Sequence, residues 1–216
     1  MSFKIPNGFI SKIDRLQNKM VTSQHIKNTY LELNERLSNK YSCNIYLKRE
    51  DQQIVRSFKI RGAFSKINNL DNKEKIVCAS AGNHAQGFAY LCNKMNIKGT
   101  IFIPETTPLQ KISRIKYFSK DSCEIKITGN TFSDSLLEAQ EYTNNNNCTF
   151  IHPYDDIEVI EGQATIASEI YKEISPDIII CSIGGGGLIS GLSLYSRSKN
   201  DCKIIGAEPY NCQSMK

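Results

Sequence analysis

The sequence contains no C-x-x-C pair, no long hydrophobic run and no block of like charges, and each absence excludes a class of protein. Three histidines and scattered cysteines do not form the ligand spacing of a metal site, so no metal is predicted. No apolar run is long enough to cross a bilayer, and no charged and then apolar leader opens the chain. These absences argue against a membrane partner and a secreted protein.

The charge of the chain is mildly positive. Its 216 residues include 27 Lys and Arg against 22 Asp and Glu, which gives a net charge of +5. Because this excess is spread along the sequence and forms no basic patch, no nucleic-acid partner is predicted. With 40% hydrophobic and 23% charged residues, the chain has the composition of an ordinary globular protein, and a small anionic ligand remains compatible with it.

The eight cysteines are single thiols in the sequence pattern. Cys78 and Cys181 lie inside the apolar runs "IVCAS" and "IIICSI", which predicts that they are buried. Buried free thiols are typical of proteins in a reducing compartment. We therefore predict a cytoplasmic protein without disulfide bonds.

Hydrophobic spacing predicts the secondary structure. Apolar residues recur every three to four positions in 10–20 and 28–41, which predicts two helices, and in 56–70, which predicts a third. A short strand is predicted within 43–50. From residue 76 onward, short apolar strands alternate with amphipathic helices, and this alternation predicts parallel βαβ units in an α/β fold.

The last predicted strand lies in "CKIIGAEP" and has the apolar character of an interior strand. A parallel strand of this kind is normally covered by a following helix. The chain stops a few residues later, at Lys216, so we expect it to be truncated.

Four consecutive glycines, Gly184, Gly185, Gly186 and Gly187, join a predicted buried strand to a predicted helix. Glycines let backbone N–H groups crowd together, and the start of a helix adds partial positive charge. A flexible turn needs fewer glycines than this. The run therefore favours a phosphate-binding loop over a plain turn.

The identity of the phosphate ligand stays open at this point. A Walker A loop needs Gly-Lys-Ser/Thr at the helix start, where Leu188 follows the glycines instead. A dinucleotide fingerprint needs glycines at i, i+2 and i+5, and the last position falls on Ile189 or Ser190. Glu208 nevertheless ends the next strand, where a ribose-binding acid would lie. A nicotinamide-dependent enzyme is therefore an alternative.

A second strand-to-helix turn, within "CASAGNHAQG", contains Ser80, Ala81, Gly82, Asn83 and His84. Backbone N–H groups at such a turn are suited to binding a carboxylate. Asn83 is equally suited to capping the helix, which is the commoner role of Asn at this position. His84 is equally suited to a partly buried position with a satisfied side chain.

Lys59, in "SFKIRGAF", would be a solvent-exposed helix residue if it were considered alone. Catalytic lysines are made nucleophilic by desolvation or by neighbouring cations, which lower the pKa. Phe58 and Phe64 are candidates for covering Lys59, and Arg56 and Arg61 are candidates for the neighbouring charge. A cofactor that carries both a phosphate and an aldehyde needs an anion-binding loop and a lysine. Pyridoxal phosphate is that cofactor.

Taken together, these segments resemble the threonine dehydratase (threonine deaminase) family of fold-type II pyridoxal-phosphate enzymes. The resemblance covers about residues 29 to 210. It rests on six segments in the family's order, which are "YLKREDQQIVRSFKIRGAF", "SAGNHAQGFAY", "IFIPETTPLQK", "GQATIASEI", "SIGGGGLISG" and "IIGAEP". The family departs from this chain at Tyr30, where it usually has proline, and at Ala164, where it usually has glycine.

The resemblance implies the fold and the cofactor site. It implies two parallel-sheet domains of the tryptophan-synthase-β-like architecture, with the C-terminal part of the large domain missing. In this arrangement residues 1–69 and 148–216 belong to the large domain, and residues 70–147 form the small domain. Pyridoxal 5'-phosphate would be held by Lys59 as a Schiff base and contacted by residues that include Phe58, Asn83, Gly184, Gly185, Gly186, Gly187 and Leu188.

The resemblance also implies the substrate and the reaction. Ser80, Ala81, Gly82, Asn83 and His84 would hold the carboxylate of an amino-acid substrate. Lys59 would take the Cα proton, and loss of the β-hydroxyl would convert L-threonine to 2-oxobutanoate and ammonia, or L-serine to pyruvate and ammonia. The family further implies a homodimer or homotetramer.

Two alternatives remain beside the dehydratase. In serine racemases of this family, the segment that corresponds to Ser80–His84 looks like S-S-G-N-H. The hydroxyl of the second serine would protonate the far face of the carbanion, and in this chain Ala81 replaces that serine. This substitution favours elimination over racemisation. Glu208 matches a metal-ligating position of the racemases, but Tyr210 and Cys212 supply no convincing oxygen ligands. The other alternative is a catalytically inactive fragment, and no residue can be assigned to the pyridine nitrogen.

Overall fold

The computed structural model describes residues 7–71 and 75–215. Eight helices are present in these residues: α1 Phe9–Thr22, α2 Glu35–Tyr41, α3 Lys59–Asn68, α4 Asn83–Lys94, α5 Leu109–Ser119, α6 Phe132–Asn145, α7 Ile157–Glu173 and α8 Gly187–Ser196. Eight strands accompany them: β1 Leu31–Leu33, β2 Tyr46–Lys48, β3 Lys75–Ala79, β4 Lys98–Ile103, β5 Cys123–Ile127, β6 Thr149–Phe150, β7 Ile178–Ser182 and β8 Lys203–Ala207. A short 3-10 turn spans Glu50–Gln52.

Two parallel sheets confirm the predicted α/β class. Strands β5, β4, β3 and β6 form one sheet in that order, and β7 pairs with β8 in the other. Within the first sheet Val77 lies between Thr100 and Phe150, so β6 completes the sheet on the side of β3. The predicted domain boundary between residues 147 and 148 stays a prediction. No helix among the described residues is long and apolar enough to cross a membrane.

The helix predicted over 28–41 is wrong in its first half. Residues Leu31–Leu33 form β1, which pairs with β2 in an antiparallel ladder that sets Leu31 opposite Lys48. Helix α2 starts only at Glu35, because the side chain of Asn34 accepts a hydrogen bond from the N–H of Leu37 and caps it. A three-residue strand is too short for its alternation to outweigh an overlapping helical pattern.

Helix α7 is buried along most of its length, and α1, α3 and α8 pack against it. Helix α3 packs against it at a contact between two glycines. A Cβ on Gly162 would lie 2.5 Å from the carbonyl oxygen of Arg61 and 2.6 Å from the Cα of Gly62. On the other side, a Cβ on Gly191 of α8 would lie 2.6 Å from the carbonyl oxygen of Ile160. Both helices therefore approach α7 at backbone distance.

A buried ion network lies beside this contact. The guanidinium of Arg61, which is 0% exposed, binds Glu50 and Glu169 at 2.7 Å each. Lys48 makes a second ion pair with Glu169 at 2.7 Å. Burial opposes the charge of Arg61, but the two carboxylates outweigh it and raise the pKa of Arg61. The network joins the segment before α3 to α3 and α7.

The glycine contact between α3 and α7 predicts a specific sensitivity. Gly162→Ala would insert a methyl group against the backbone of α3, so we expect the free energy of unfolding to fall by about 1–3 kcal/mol. Urea denaturation measures the change. Gly184→Ala is the matched control, because a Cβ there meets no atom within 4 Å. Equal loss in the two variants would contradict the packing role of Gly162.

Candidate active site

Lys59 is the first residue of α3, and its position fixes where its amine points. The side-chain oxygen of Ser57 accepts a hydrogen bond from the N–H of Lys59 at 3.3 Å. The side chain of Lys59 is partly buried, and its Nζ donates a hydrogen bond to the carbonyl oxygen of Pro153 at 2.7 Å. Lys59 is therefore held by a distant segment of the chain rather than by solvent, in contrast to an ordinary helix lysine.

The surroundings of the amine favour its neutral form. Burial lowers the pKa of Lys59 from 10.5 to about 8. Nζ lies 5.6 Å from the ring centre of Phe58 and 5.7 Å from that of Tyr154. The two rings limit the access of water to the amine.

The expected neighbours of Lys59 are corrected on two points. Phe64 does not cover the amine: it is buried in the core, 6.4 Å from the ring centre of His25. Arg61 does not lower its pKa, because the guanidinium is occupied by Glu50 and Glu169. Desolvation alone accounts for the shift.

His84 is buried one residue inside α4. Its Nε2 lies 2.9 Å from the carbonyl oxygen of Ile151, while Nδ1 is buried without a hydrogen-bond partner. Burial lowers the pKa of His84 to about 3, and the charges of Lys59 and His152 add to this effect. His84 is therefore neutral, with the proton on Nε2 and a free lone pair on Nδ1.

The segment 151–154, "IHPY", was not identified from the sequence, although it joins the parts of the site. Its backbone carbonyls bind His84 and Lys59, and the ring of Tyr154 lies beside Lys59. The Nδ1 atom of His152 accepts hydrogen bonds from two N–H groups, those of Asp155 at 2.7 Å and Tyr154 at 3.3 Å. These bonds fold the segment into a turn. A His-Pro pair directly after a strand is the only sequence signal for it.

The glycine run lies between β7 and α8, and three of its four glycines, Gly185, Gly186 and Gly187, are required by conformation or by space. Gly186 has φ +82°, which is the left-handed region. A Cβ on Gly185 would overlap the ring of Tyr154, and one on Gly187 would lie 2.8 Å from the carbonyl oxygen of Tyr154. The loop therefore fits closely around Tyr154, which places it next to the residue that covers Lys59.

The two helix starts that carry predicted binding residues have free N-terminal ends. No side-chain hydrogen bond caps α8, which begins at Gly187 and Leu188, or α4, which begins at Asn83. Asn83 is exposed and is not the helix cap, because Gly82 occupies that position. The N–H of Gly82 donates to the hydroxyl of Ser80 at 3.2 Å. Uncapped N–H groups at both helices remain for anions.

The structure thus brings together part of the predicted site. Lys59, His84 and the glycine loop all connect through the segment 151–154, and Phe58 lies beside the amine of Lys59. Ser80, Ala81, Asn83 and Leu188 belong to the turns on either side, and no hydrogen bond in the described part of the chain joins them to Lys59. Their roles in binding stay predictions.

Curated relatives of this chain are biosynthetic threonine dehydratases. A biosynthetic L-threonine dehydratase from Halalkalibacterium halodurans is 47% identical over 212 residues, which cover 94% of this chain and 51% of that protein. A biosynthetic L-threonine dehydratase from Staphylococcus saprophyticus is 48% identical over 199 residues, covering 88% and 47%. The chain spans about half the length of the curated relatives it matches.

Solved structures confirm the fold. The processed form of threonine deaminase isoform 2 from Solanum lycopersicum matches with a TM-score of 0.86 at 34% identity, over 95% of this chain and 57% of that one. Maize serine racemase matches with a TM-score of 0.86 at 27% identity, over 93% and 61%. Both likenesses confirm the predicted architecture of the fold-type II enzymes.

The model of one protein family, described as pyridoxal-phosphate dependent enzyme, matches residues 22–216. This range includes Lys59, the turn at Ser80–His84 and the glycine run. The match replaces the nicotinamide interpretation of the four glycines and identifies pyridoxal 5'-phosphate as the cofactor. The chain belongs to the family of pyridoxal-phosphate-dependent enzymes.

Proposed function

We propose that this chain carries the cofactor-binding part of a threonine ammonia-lyase, which converts L-threonine to 2-oxobutanoate and ammonia and L-serine to pyruvate and ammonia. The observation that carries the proposal is the amine of Lys59, partly buried with a pKa of about 8 and connected through Tyr154 to a four-glycine loop. The named activity of the dehydratase relatives supports the substrate. Isoleucine biosynthesis or threonine breakdown is the corresponding metabolic role.

The residues present fit pyridoxal phosphate. Its aldehyde reacts with the neutral form of an amine, and burial lowers the pKa of Lys59 to about 8, so a far larger share of this amine is neutral near physiological pH than of an ordinary lysine. Its phosphate needs backbone N–H groups without side chains in the way, and the loop from Gly184 to Gly187 provides them at the uncapped start of α8. When bound, the cofactor supplies an electron sink that stabilises negative charge at the substrate Cα.

The chain's own residues then divide the work of the reaction. Lys59 exchanges its proton readily near pH 8, so its Nζ is suited to take the Cα proton and to pass it to the β-hydroxyl, which leaves as water. Phe58 and Tyr154 limit the access of water to that nitrogen. The turn at Ser80–His84, at the uncapped start of α4, is suited to hold the substrate carboxylate. His84 stays neutral beside it and adds no second positive charge.

Elimination is favoured over racemisation by one side chain. Racemisation needs an acid on the face of the carbanion opposite Lys59, and Ala81 has no proton to give. Ala81 is partly buried against the hydrophobic core beside the four-stranded sheet, so solvent does not readily replace the missing hydroxyl. A homodimer or homotetramer in the cytoplasm completes the proposal, and the eight free cysteines support a reducing compartment.

Lys59→Ala tests the role of the lysine. The wild-type chain mixed with pyridoxal phosphate is expected to show a visible absorption band that survives desalting, and borohydride should fix the cofactor on Lys59. The variant should lose both signals, and its release of 2-oxobutanoate from threonine should fall by on the order of 10²–10⁴-fold. Lys66→Ala is the matched control on the same helix, because its amine pairs with Glu158 and Asp156.

Two results would contradict parts of the proposal. Covalent fixation on another residue in Lys59→Ala would remove Lys59 from its role. A wild-type chain that fixes the cofactor on Lys59 but forms no oxo acid would support the inactive alternative. Exchange of serine between its L and D forms faster than pyruvate release would support a racemase.

The lowered pKa of Lys59 predicts a pH dependence of stability. Between pH 8 and 10.5 the unfolded chain binds more protons than the folded chain at this residue, so the free energy of unfolding should rise with pH over this window. Measured by urea denaturation, wild type should gain stability relative to Lys59→Met between about pH 7 and about pH 10.

Lys66→Met is the control, because the pKa of Lys66 is shifted in the opposite direction from that of Lys59. Burial acts to lower the pKa of Lys66, but hydrogen bonds and ion pairs with Glu158 and Asp156 outweigh it and raise the pKa. The stability that Lys66 contributes is therefore fully present below pH 10.5, its ordinary pKa. The difference between wild type and Lys66→Met should stay constant over the same window. If the difference in the free energy of unfolding between wild type and Lys59→Met is also constant over this window, then burial does not lower the pKa of Lys59.

A further inference from the structure

Glu208, which follows β8, is held in an unusual way. One oxygen of its carboxylate, Oε1, accepts hydrogen bonds from the N–H of Ser214 at 2.7 Å and the N–H of Met215 at 3.0 Å. A turn between Pro209 and Cys212, with its N–H···O bond at 3.0 Å, closes the intervening loop. The carboxylate therefore folds residues 209–215 back toward the end of β8.

Ser214 connects this loop to the glycine run. Its Oγ lies 2.6 Å from the carbonyl oxygen of Gly184 and 3.0 Å from Oε1 of Glu208. A hydroxyl carries one hydrogen, and we assign it to the shorter contact, so Ser214 donates to Gly184. The carboxylate is then held by the two backbone N–H groups, and it positions Ser214 through them. We call the pair Glu208 and Ser214 the clasp.

The clasp fixes the orientation of one peptide plane in the glycine loop. The peptide between Gly184 and Gly185 is trans, so its C=O and N–H point in opposite directions. Since the C=O is bound to Ser214, the N–H of Gly185 points to the other side of the loop. A Cβ on Gly184 would meet no atom within 4 Å, so packing around that carbon gives the plane little support. Without the clasp, the plane would lose the hydrogen bond that selects its orientation.

We propose that Glu208 and Ser214 are positioning residues for phosphate binding, which act by presenting the N–H of Gly185 to the cofactor phosphate. This inference rests on the proposed function, because it takes the glycine run as the phosphate site. It gives Glu208 a role different from that of a ribose-binding acid or a metal ligand. Within residues 7–71 and 75–215, no group of three or more His, Cys, Asp or Glu side chains is arranged to hold a metal ion.

Two cofactor forms separate this role from that of Lys59. Pyridoxal phosphate uses both the lysine and the loop, whereas pyridoxal, which lacks the phosphate, uses the lysine alone. In Ser214→Ala the dissociation constant of pyridoxal phosphate, measured from the visible band, should rise about five- to tenfold. The constant for pyridoxal should stay unchanged. Ser198→Ala is the matched control, because its hydroxyl binds only the carbonyl oxygen of Leu194 on the exposed side of α8.

Glu208 is tested by the same titration. Glu208→Ala removes the carboxylate that accepts hydrogen bonds from the two N–H groups, and it should weaken the binding of pyridoxal phosphate to the same extent as Ser214→Ala. The double variant should be no weaker than either single one, because both act through one peptide plane. Glu208→Gln keeps an acceptor oxygen for the two N–H groups and should retain most of the affinity. Thermal unfolding of each variant shows whether the fold is intact.

Each contrary outcome has a defined meaning. If Ser214→Ala binds pyridoxal phosphate as tightly as wild type, or if its affinity for pyridoxal falls equally, the positioning role of the clasp is overturned. The role of Lys59 is unaffected by either result. If Glu208→Ala binds pyridoxal phosphate more weakly than wild type only when magnesium is added, the positioning role is overturned and Glu208 acts as a cation ligand. Failure of the wild-type chain to bind either cofactor form overturns the proposed function itself.

Discussion

The buried charge of Arg61 is the constraint on which the geometry of the site depends. An arginine without solvent must keep its carboxylate partners, and removing one partner of such a buried pair costs about 3–5 kcal/mol. Glu169 lies on α7, and Glu50 lies in the segment that precedes α3. Both ends of the network are therefore fixed relative to α3. Lys59 is two residues before Arg61, so the same ion pairs determine where its amine emerges.

The segment 151–154 connects α3 to α4 and to the glycine loop. It leaves the four-stranded sheet at β6 and enters α7, and within four residues it contacts α4, α3 and the glycine loop. Two of these contacts are made by backbone carbonyls. They therefore depend on the path of the chain more than on side-chain identity. The amine, the neutral histidine and the glycine loop are consequently all connected through this one segment.

Local patterns were sufficient for much of the fold. The alternation beyond residue 76 was readable because its helices, and all of its strands except the two-residue β6, are long enough to show their own period. The glycine run was readable because three of its four positions leave no room for a side chain or need a left-handed backbone. The strand at Leu31–Leu33 was not readable, since its partner is β2 and its pairing is not local. For the site, the sequence predicted Lys59 with Phe58 beside its amine, as the structure has it. The predicted neighbours Phe64 and Arg61 were wrong. Arg61 is only two residues from Lys59 in sequence yet faces the interior, and Tyr154 covers the amine from 95 positions away.

The contact between Gly62 and Gly162 limits how this part of the chain can change. Most crowded positions in a core can be relieved when a neighbour becomes smaller, so that a harmful substitution finds a second-site suppressor. At Gly162 the facing residue is already glycine, and the atoms that a methyl group would displace belong to the backbone of α3. Helix α3 therefore cannot compensate for a methyl group on Gly162 by losing side-chain volume. A Cβ on Gly62 would instead first meet the side chains of Gln163 and Val159 on α7, so smaller residues there would relieve most of the overlap. Compensation at this contact is therefore open in one direction only, and Gly162 is the position that no partner substitution on α3 can rescue.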